Sequence, residues 1–124
     1  MNNAIFMNTI FPFAMMQSTD KQAKSLIETA RKAADSADSE TTFGTAAKNS
    51  FADLRVESLV EIAIWHFERS LKNYRIAIAN LEKAKQFNLS PKYKKYIDAK
   101  TVECFQKANE ISVQRQNTQI LLNK

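Results

Sequence analysis

One glycine and two prolines leave this 124-residue chain almost without turn punctuation. Hairpins, β-sandwiches and glycine-rich phosphate loops all need more of it. Dinucleotide-binding and P-loop folds are excluded on that count, because glycines build their phosphate cradles. A single cysteine excludes an internal disulfide and a multi-cysteine zinc site. A single histidine leaves little material for imidazole catalysis. His66 also lacks the spacing of a metal motif, since Glu61 and Glu68 miss both the Glu-x-x-His and the His-Glu-x-x-His patterns. The carboxylates are spread along helix faces and are not paired in an apolar setting. No catalytic, cofactor or metal residue is expected, and the chain reads as no enzyme.

What is present is helical. The apolar fraction of 44% and the charged fraction of 25% are those of an ordinary globular domain. The expected fold class is all-α, a small antiparallel bundle of three main helices. The first helix is predicted from Thr19 or Asp20 to about Ser36, with Ala23, Ile27, Ala30, Ala34 and Ala37 as a narrow apolar stripe. The polar run Asp38 to Thr45, which holds the only glycine, is predicted as a loop. The second helix is predicted from Phe51 to Phe87, opened by Ser50 and Asp53 in the manner of a capping box. Val60, Ile64, Phe67, Leu71, Tyr74, Ile78 and Leu81 follow one another at alternating spacings of four and three, a coiled-coil seam. A helix of that length would overhang a compact domain, bend, or break near Arg69 to Lys72. Ser90 and Pro91 then cap and start a third helix reaching about Leu122, with Tyr93, Ile97, Cys104, Phe105, Ala108 and Ile111 turned inward.

Residues 1–17 form an apolar arm ahead of a bundle domain at 18–124. The arm is too short to span a bilayer, has no basic flank, and lacks the plan of a signal peptide. Membrane association is therefore not expected, and a lone cysteine fits a cytoplasmic setting.

The net charge of +5 is local: Lys83 to Lys107 holds seven lysines against Asp98 and Glu103. Such a cluster draws an acidic protein surface, anionic lipid or nucleic acid, the last through sequence-independent phosphate contacts since no arginine is there to read bases. The same stretch also fits a solvated corner.

From Tyr74 onward the residues Ala77, Ile78, Leu81, Ala84, Phe87 and Pro91, then Lys92, Lys94, Ile97, Ala99, Lys100, Glu103, Phe105, Lys107, Ala108 and Ile111, resemble the second and third helices of the MIT (microtubule-interacting and trafficking) domain. Residues 23–27 and 30–33 are similar to its first helix. The chain departs from that family in its long stretch between the first helix and Tyr74, which makes Phe51 to Lys72 an extension or extra helix. The resemblance implies capture of an amphipathic partner helix between the last two helices, with Phe105 and Ala108 in the groove. Gln106 and Asn109 stand where the family often has acidic residues, which implies a partner that is less basic than usual, or acidic.

The functional expectation is a non-enzymatic adaptor-like interaction domain. Its expected contact residues are Trp65, Lys85, Lys92, Lys94, Lys95, Tyr96, Lys100, Phe105 and Ala108. The apolar surplus around Trp65 also points to a homodimer or a docking face. The alternative is a small bacterial or phage-encoded inhibitor acting on a nucleoprotein complex through the basic patch.

Overall fold

The computed structural model describes residues 12–123, and the side chains of 21–123. Three helices follow one another: α1 (Pro12–Leu54), α2 (Glu57–Lys85) and α3 (Pro91–Leu122). No strand occurs among the described residues. The all-α bundle expected from the sequence is what forms. No described helix is long and apolar enough to cross a membrane.

The first correction concerns α1, which runs unbroken for 43 residues through the segment expected to be a loop. The reason lies in its packing on α2. Ala23, Ala30, Ala37 and Gly44 recur every seventh residue of α1, and Ala63, Ser70, Ala77 and Ala84 do so on α2. All eight are buried. The helices are antiparallel, with Ser70 Oγ donating to the Ala37 carbonyl at 2.9 Å and Gly44 lying against Phe67 and Ala63. Steps of seven from these contacts set Ala30 opposite Ala77 and Ala23 opposite Ala84. Small residues on both sides let the two backbones approach, and only glycine fits against Phe67. Thr41 and Thr42 are held within the helix by donating to the carbonyls four residues back. Tertiary packing thus overrides the loop-like local composition.

The second correction is the break. Expected near Arg69 to Lys72, it falls at Arg55–Val56, so Ser50 is inside α1 and caps nothing. Phe51 to Lys72 is no separate extension; the end of α1 and the first half of α2 share it. Arg55 takes a left-handed φ of 57° and its N–H donates to the Phe51 carbonyl at 2.8 Å. Val56 precedes α2 in extended conformation without a side-chain cap. A non-glycine residue in the left-handed region costs roughly 1–2 kcal/mol, so this corner is held by the seam on either side of it. α2, at 29 residues, contains no break.

The seam read on α2 is the core. Val60, Phe67, Tyr74 and Leu81 are at most 2% exposed, with Ile64 and Ile78 also buried. α3 returns beside α2 and packs Ile97, Cys104 and Ile111 against it. Pro91 occupies the first turn as expected, while Ser90 serves only through its carbonyl, which accepts from Lys94 N–H at 3.1 Å. Because Ala23 lies level with Ala84, the start of α1 projects past the end of α2. Residues 12–17 of the expected arm are helical and continuous with α1, and residues 1–11 lie outside the described residues.

Candidate functional site

The expected contact residues separate into three places. Trp65 stands on the outer face of α2, 53% exposed. Its ring meets His66 edge-on at 4.9 Å, and the Arg69 guanidinium lies 4.6 Å from its centroid. Phe43 of α1, 59% exposed, reaches His66 from the other side at 5.5 Å. Glu40 ties the group together, accepting from His66 Nδ1 at 2.5 Å and Arg69 Nε at 3.1 Å. Reading Trp65 as an exposed anchor is consistent with this, but Phe43 and Glu40 were assigned to a loop and so were missed.

Burial pushes the Glu40 carboxyl up, yet its bonds to His66 and Arg69 outweigh burial and hold it below the ordinary 4.5. Glu103 is held below that value too, by hydrogen bonds from Lys100 and Lys107 against a smaller burial effect. A carboxylate depressed in the folded state contributes stability that is complete above its ordinary value and lost as pH falls through the folded one. Thermal unfolding should therefore hold level down to about pH 5 and decline below it. Glu40→Gln should make that acid decline shallower. An unchanged acid slope in this variant would contradict the tie.

The lysine corner is smaller than its sequence count. Lys100 and Lys107 are turned inward: Lys100 pairs with Glu103 at 3.1 Å, and Lys107 with Glu103 and Asp38, both at 3.2 Å. Burial lowers the basicity of both ammonium groups, but these partners prevail and raise it. Lys85 pairs with Asp98 at 3.3 Å, with both side chains well exposed. Lys92, Lys94 and Lys95 have no carboxylate partner among the described residues. They crowd the first turn of α3, where Pro91, Lys94, Lys95, Asp98, Ala99 and Val102 border a shallow, mostly apolar depression. Tyr96 is exposed beside them, and Lys24 of α1 sits over the Tyr93 ring at 5.8 Å.

The groove between α2 and α3 holds an open cleft of about 420 Å³ lined by Glu68, Leu71, Arg75, Ser112 and Arg115. The Arg115 guanidinium donates to Glu68 from Nε at 3.1 Å and from its terminal nitrogen at 2.8 Å. Arg75 has no carboxylate partner among the described residues. Phe105 and Ala108 share one side of α3 with Ser112 and Arg115, at helical spacings of three, four and three. Phe105 is 48% exposed, and Ala108 is half-buried against the core. The four lining residues beside Leu71 were not singled out from sequence. Their signal is the matched ridge, Glu68, Leu71 and Arg75 on one helix against Ala108, Ser112 and Arg115 on the other.

Cys104 is buried, and burial pushes its thiol up, which suits a small core side chain. No cluster of three or more potential metal ligands occurs among the described residues. Compared with known proteins, the chain matches no family model, no curated protein and no solved structure, so the geometry alone carries the functional reading.

Proposed function

We propose that the chain is a non-enzymatic interaction domain that receives an acidic amphipathic helix in the groove between α2 and α3. The observation that carries this reading is the cleft at Arg75, a cationic side chain without a carboxylate partner among the described residues, with half-exposed Phe105 two turns before Ser112 on the same side of α3. An apolar residue of a partner helix would seat against Leu71, Ala108 and Phe105, and a carboxylate would reach Arg75. Lys92, Lys94 and Lys95 stand farther along the same helix and would steer an acidic partner toward the groove, raising its rate of encounter more than its final affinity. The groove is also the one through which the MIT-like resemblance implies helix capture.

A second reading follows from the same three lysines. Held by a helix start, they suit non-specific phosphate contacts of an inhibitor acting on a nucleoprotein complex. The two readings separate in one experiment. Partners captured by the wild-type chain are compared with those captured by Ala108→Asp, by Arg75→Glu, and by Lys85, Lys92, Lys94 and Lys95 changed together to Gln. For a helix in the groove, Ala108→Asp abolishes capture and Arg75→Glu weakens it at least about tenfold, the loss of one charge-assisted contact. The lysine variant then slows association and leaves most of the affinity. If phosphate is the target, the lysine variant alone loses binding and its salt dependence flattens. Capture unaffected by both groove substitutions refutes the groove.

A further inference from the structure

α3 carries apolar side chains on two opposite faces. The inner face presents Ile97, Cys104, Ile111 and Thr118, one every seventh residue and all buried. On the opposite face Val102, Gln106, Asn109, Val113, Gln116 and Ile120 follow at alternating spacings of four and three, all exposed. Val102 and Val113 are each 55% exposed and Ile120 52%. None of these six side chains is charged, although a quarter of the chain (25%) is, and exposed Glu110 flanks them beside Gln106 and Val113. A solvated helix face is normally charged, whereas depletion of charge marks the core of an interface. Nothing in α1 or α2 covers this strip.

We propose that the strip is a self-association surface, pairing α3 with α3 of a second copy in antiparallel orientation. Three features on the strip select that occupant. It offers no charge to steer or hold an acidic or basic partner, so its complement is another neutral, mixed apolar and amide surface, which is what it is itself. It is self-complementary about a twofold axis near Ile111. That axis sets Val102 against Ile120 of the second copy and Gln106 against its Gln116, with Asn109 beside its Val113. The apolar ends match, and the amides, able both to donate and to accept, fix the register at some cost in stability. Direction follows from charge. In a parallel pair Lys92, Lys94 and Lys95 of both copies would crowd together. Reversed, the two lysine sets lie at opposite ends of the pair, each beyond the last turn of the other α3, where the helix dipole is negative. The strip measures roughly 30 Å by 10 Å, from the helical rise and width. That is well short of the ~800 Å² per partner of a standard stable interface, so the dimer is reversible and depends on concentration. It uses a face other than the α2–α3 groove, so the two readings stand or fall separately.

Sedimentation equilibrium of the full chain, from low micromolar to submillimolar concentration, tests the pairing. The weight-average mass should rise from monomer toward dimer. Val102→Lys and Ile120→Glu should each hold the chain monomeric without loss of helical circular dichroism. The double variant should dimerise again. Residues 102 and 120 stand too far apart to pair within one helix and meet only across an antiparallel pair. A benzophenone placed at position 113 should cross-link to α3 of a second copy. A monomer at every concentration, or a dimer indifferent to Val102→Lys, overturns the proposal. A double variant that stays monomeric overturns it as well, as does a cross-link confined within one chain to residues 1–11, which would assign the strip to that segment.

Discussion

Phe67→Ala should lower the unfolding free energy by roughly 3–5 kcal/mol, the range for removing a fully buried aromatic ring. Phe67 is 0% exposed and lies midway along the α2 seam, with its ring edge against the backbone of α1 at Gly44. The cavity left behind borders Gly44, which has no side chain, and Ala63, whose methyl is too short to fill it. Gly44 gives the same site a second measurement of opposite sign. Alanine is a better helix former than glycine by about 1 kcal/mol, so Gly44→Ala at an uncrowded position would stabilise α1. Here the new methyl would stand 2.7 Å from Phe67 Cε1 and 3.2 Å from the Ala63 carbonyl oxygen. Forced repacking of that kind costs about 1–3 kcal/mol and should outweigh the gain. In the Phe67→Ala background the ring is gone, and Gly44→Ala should become neutral or stabilising. Urea titrations of the four proteins give the coupling directly. If Gly44→Ala stabilises the wild-type chain, the ring has room to turn and the contact does not hold the helices together.

Gly44 also shows where sequence reasoning stopped. The α2 seam was legible because its large side chains repeat without interruption from Val60 to Leu81. The partner seam on α1 is written in small residues, Ala23, Ala30, Ala37 and Gly44. Its last members sit in a run of Ser, Thr and Asp that taken locally resembles a loop. The heptad spacing of that run was in the sequence, but its meaning depends on a facing helix that is equally small every seventh residue. The break at Arg55–Val56 had no such signal. Neither residue favours a turn, and the left-handed Arg55 is imposed by the two helices it joins.

The candidate site divides the same way. Ala108 packs on the core as its spacing implied, but Phe105, expected inward, is 48% exposed because it falls one residue round from the buried line of Cys104 and Ile111. Arg115 and Glu68 were missed because an ion pair between helices cannot be read from either helix alone, and Arg75 because its place in the cleft depends on the facing helix. Lys100 and Lys107 were counted with the basic corner, yet Glu103 lies three residues from one and four from the other. That spacing already announced their pairing along α3. Among the described residues, the cations of that corner without a carboxylate partner are accordingly fewer: Lys83 on α2, and Lys92, Lys94 and Lys95 close together on α3.

Asp38→Ala should cost about 1–3 kcal/mol, the penalty of leaving a buried donor without its acceptor. Asp38 is an α1 side chain that bonds to both other helices. Its carboxylate accepts the Tyr74 hydroxyl of α2 and, from Lys107 of α3, two bonds of 3.2 Å each. Tyr74 is only 2% exposed, and Thr41, the other polar side chain at its hydroxyl, is already engaged with the Ala37 carbonyl and Ser70, whereas Lys107 retains Glu103. Tyr74→Phe removes the donor with the need for an acceptor and should cost less than Asp38→Ala. Combined, the two changes should cost less than their separate effects added together. Asp38→Asn keeps an acceptor and should fall between wild type and Asp38→Ala. The alkaline side supplies a second readout. Burial, and next the Asp38 carboxylate, raise the Tyr74 hydroxyl far above the ordinary 10.0. A phenol whose folded value is raised contributes stability that is complete below about pH 10 and lost as pH rises beyond it. Absorbance at the phenolate band should then show one of the three tyrosines ionising only as the protein unfolds. In Asp38→Asn it should ionise earlier, because the neighbouring negative charge has gone. If Tyr74 titrates with the other two in the wild-type protein, the hydroxyl is open to water and the three-helix junction at Asp38 does not hold.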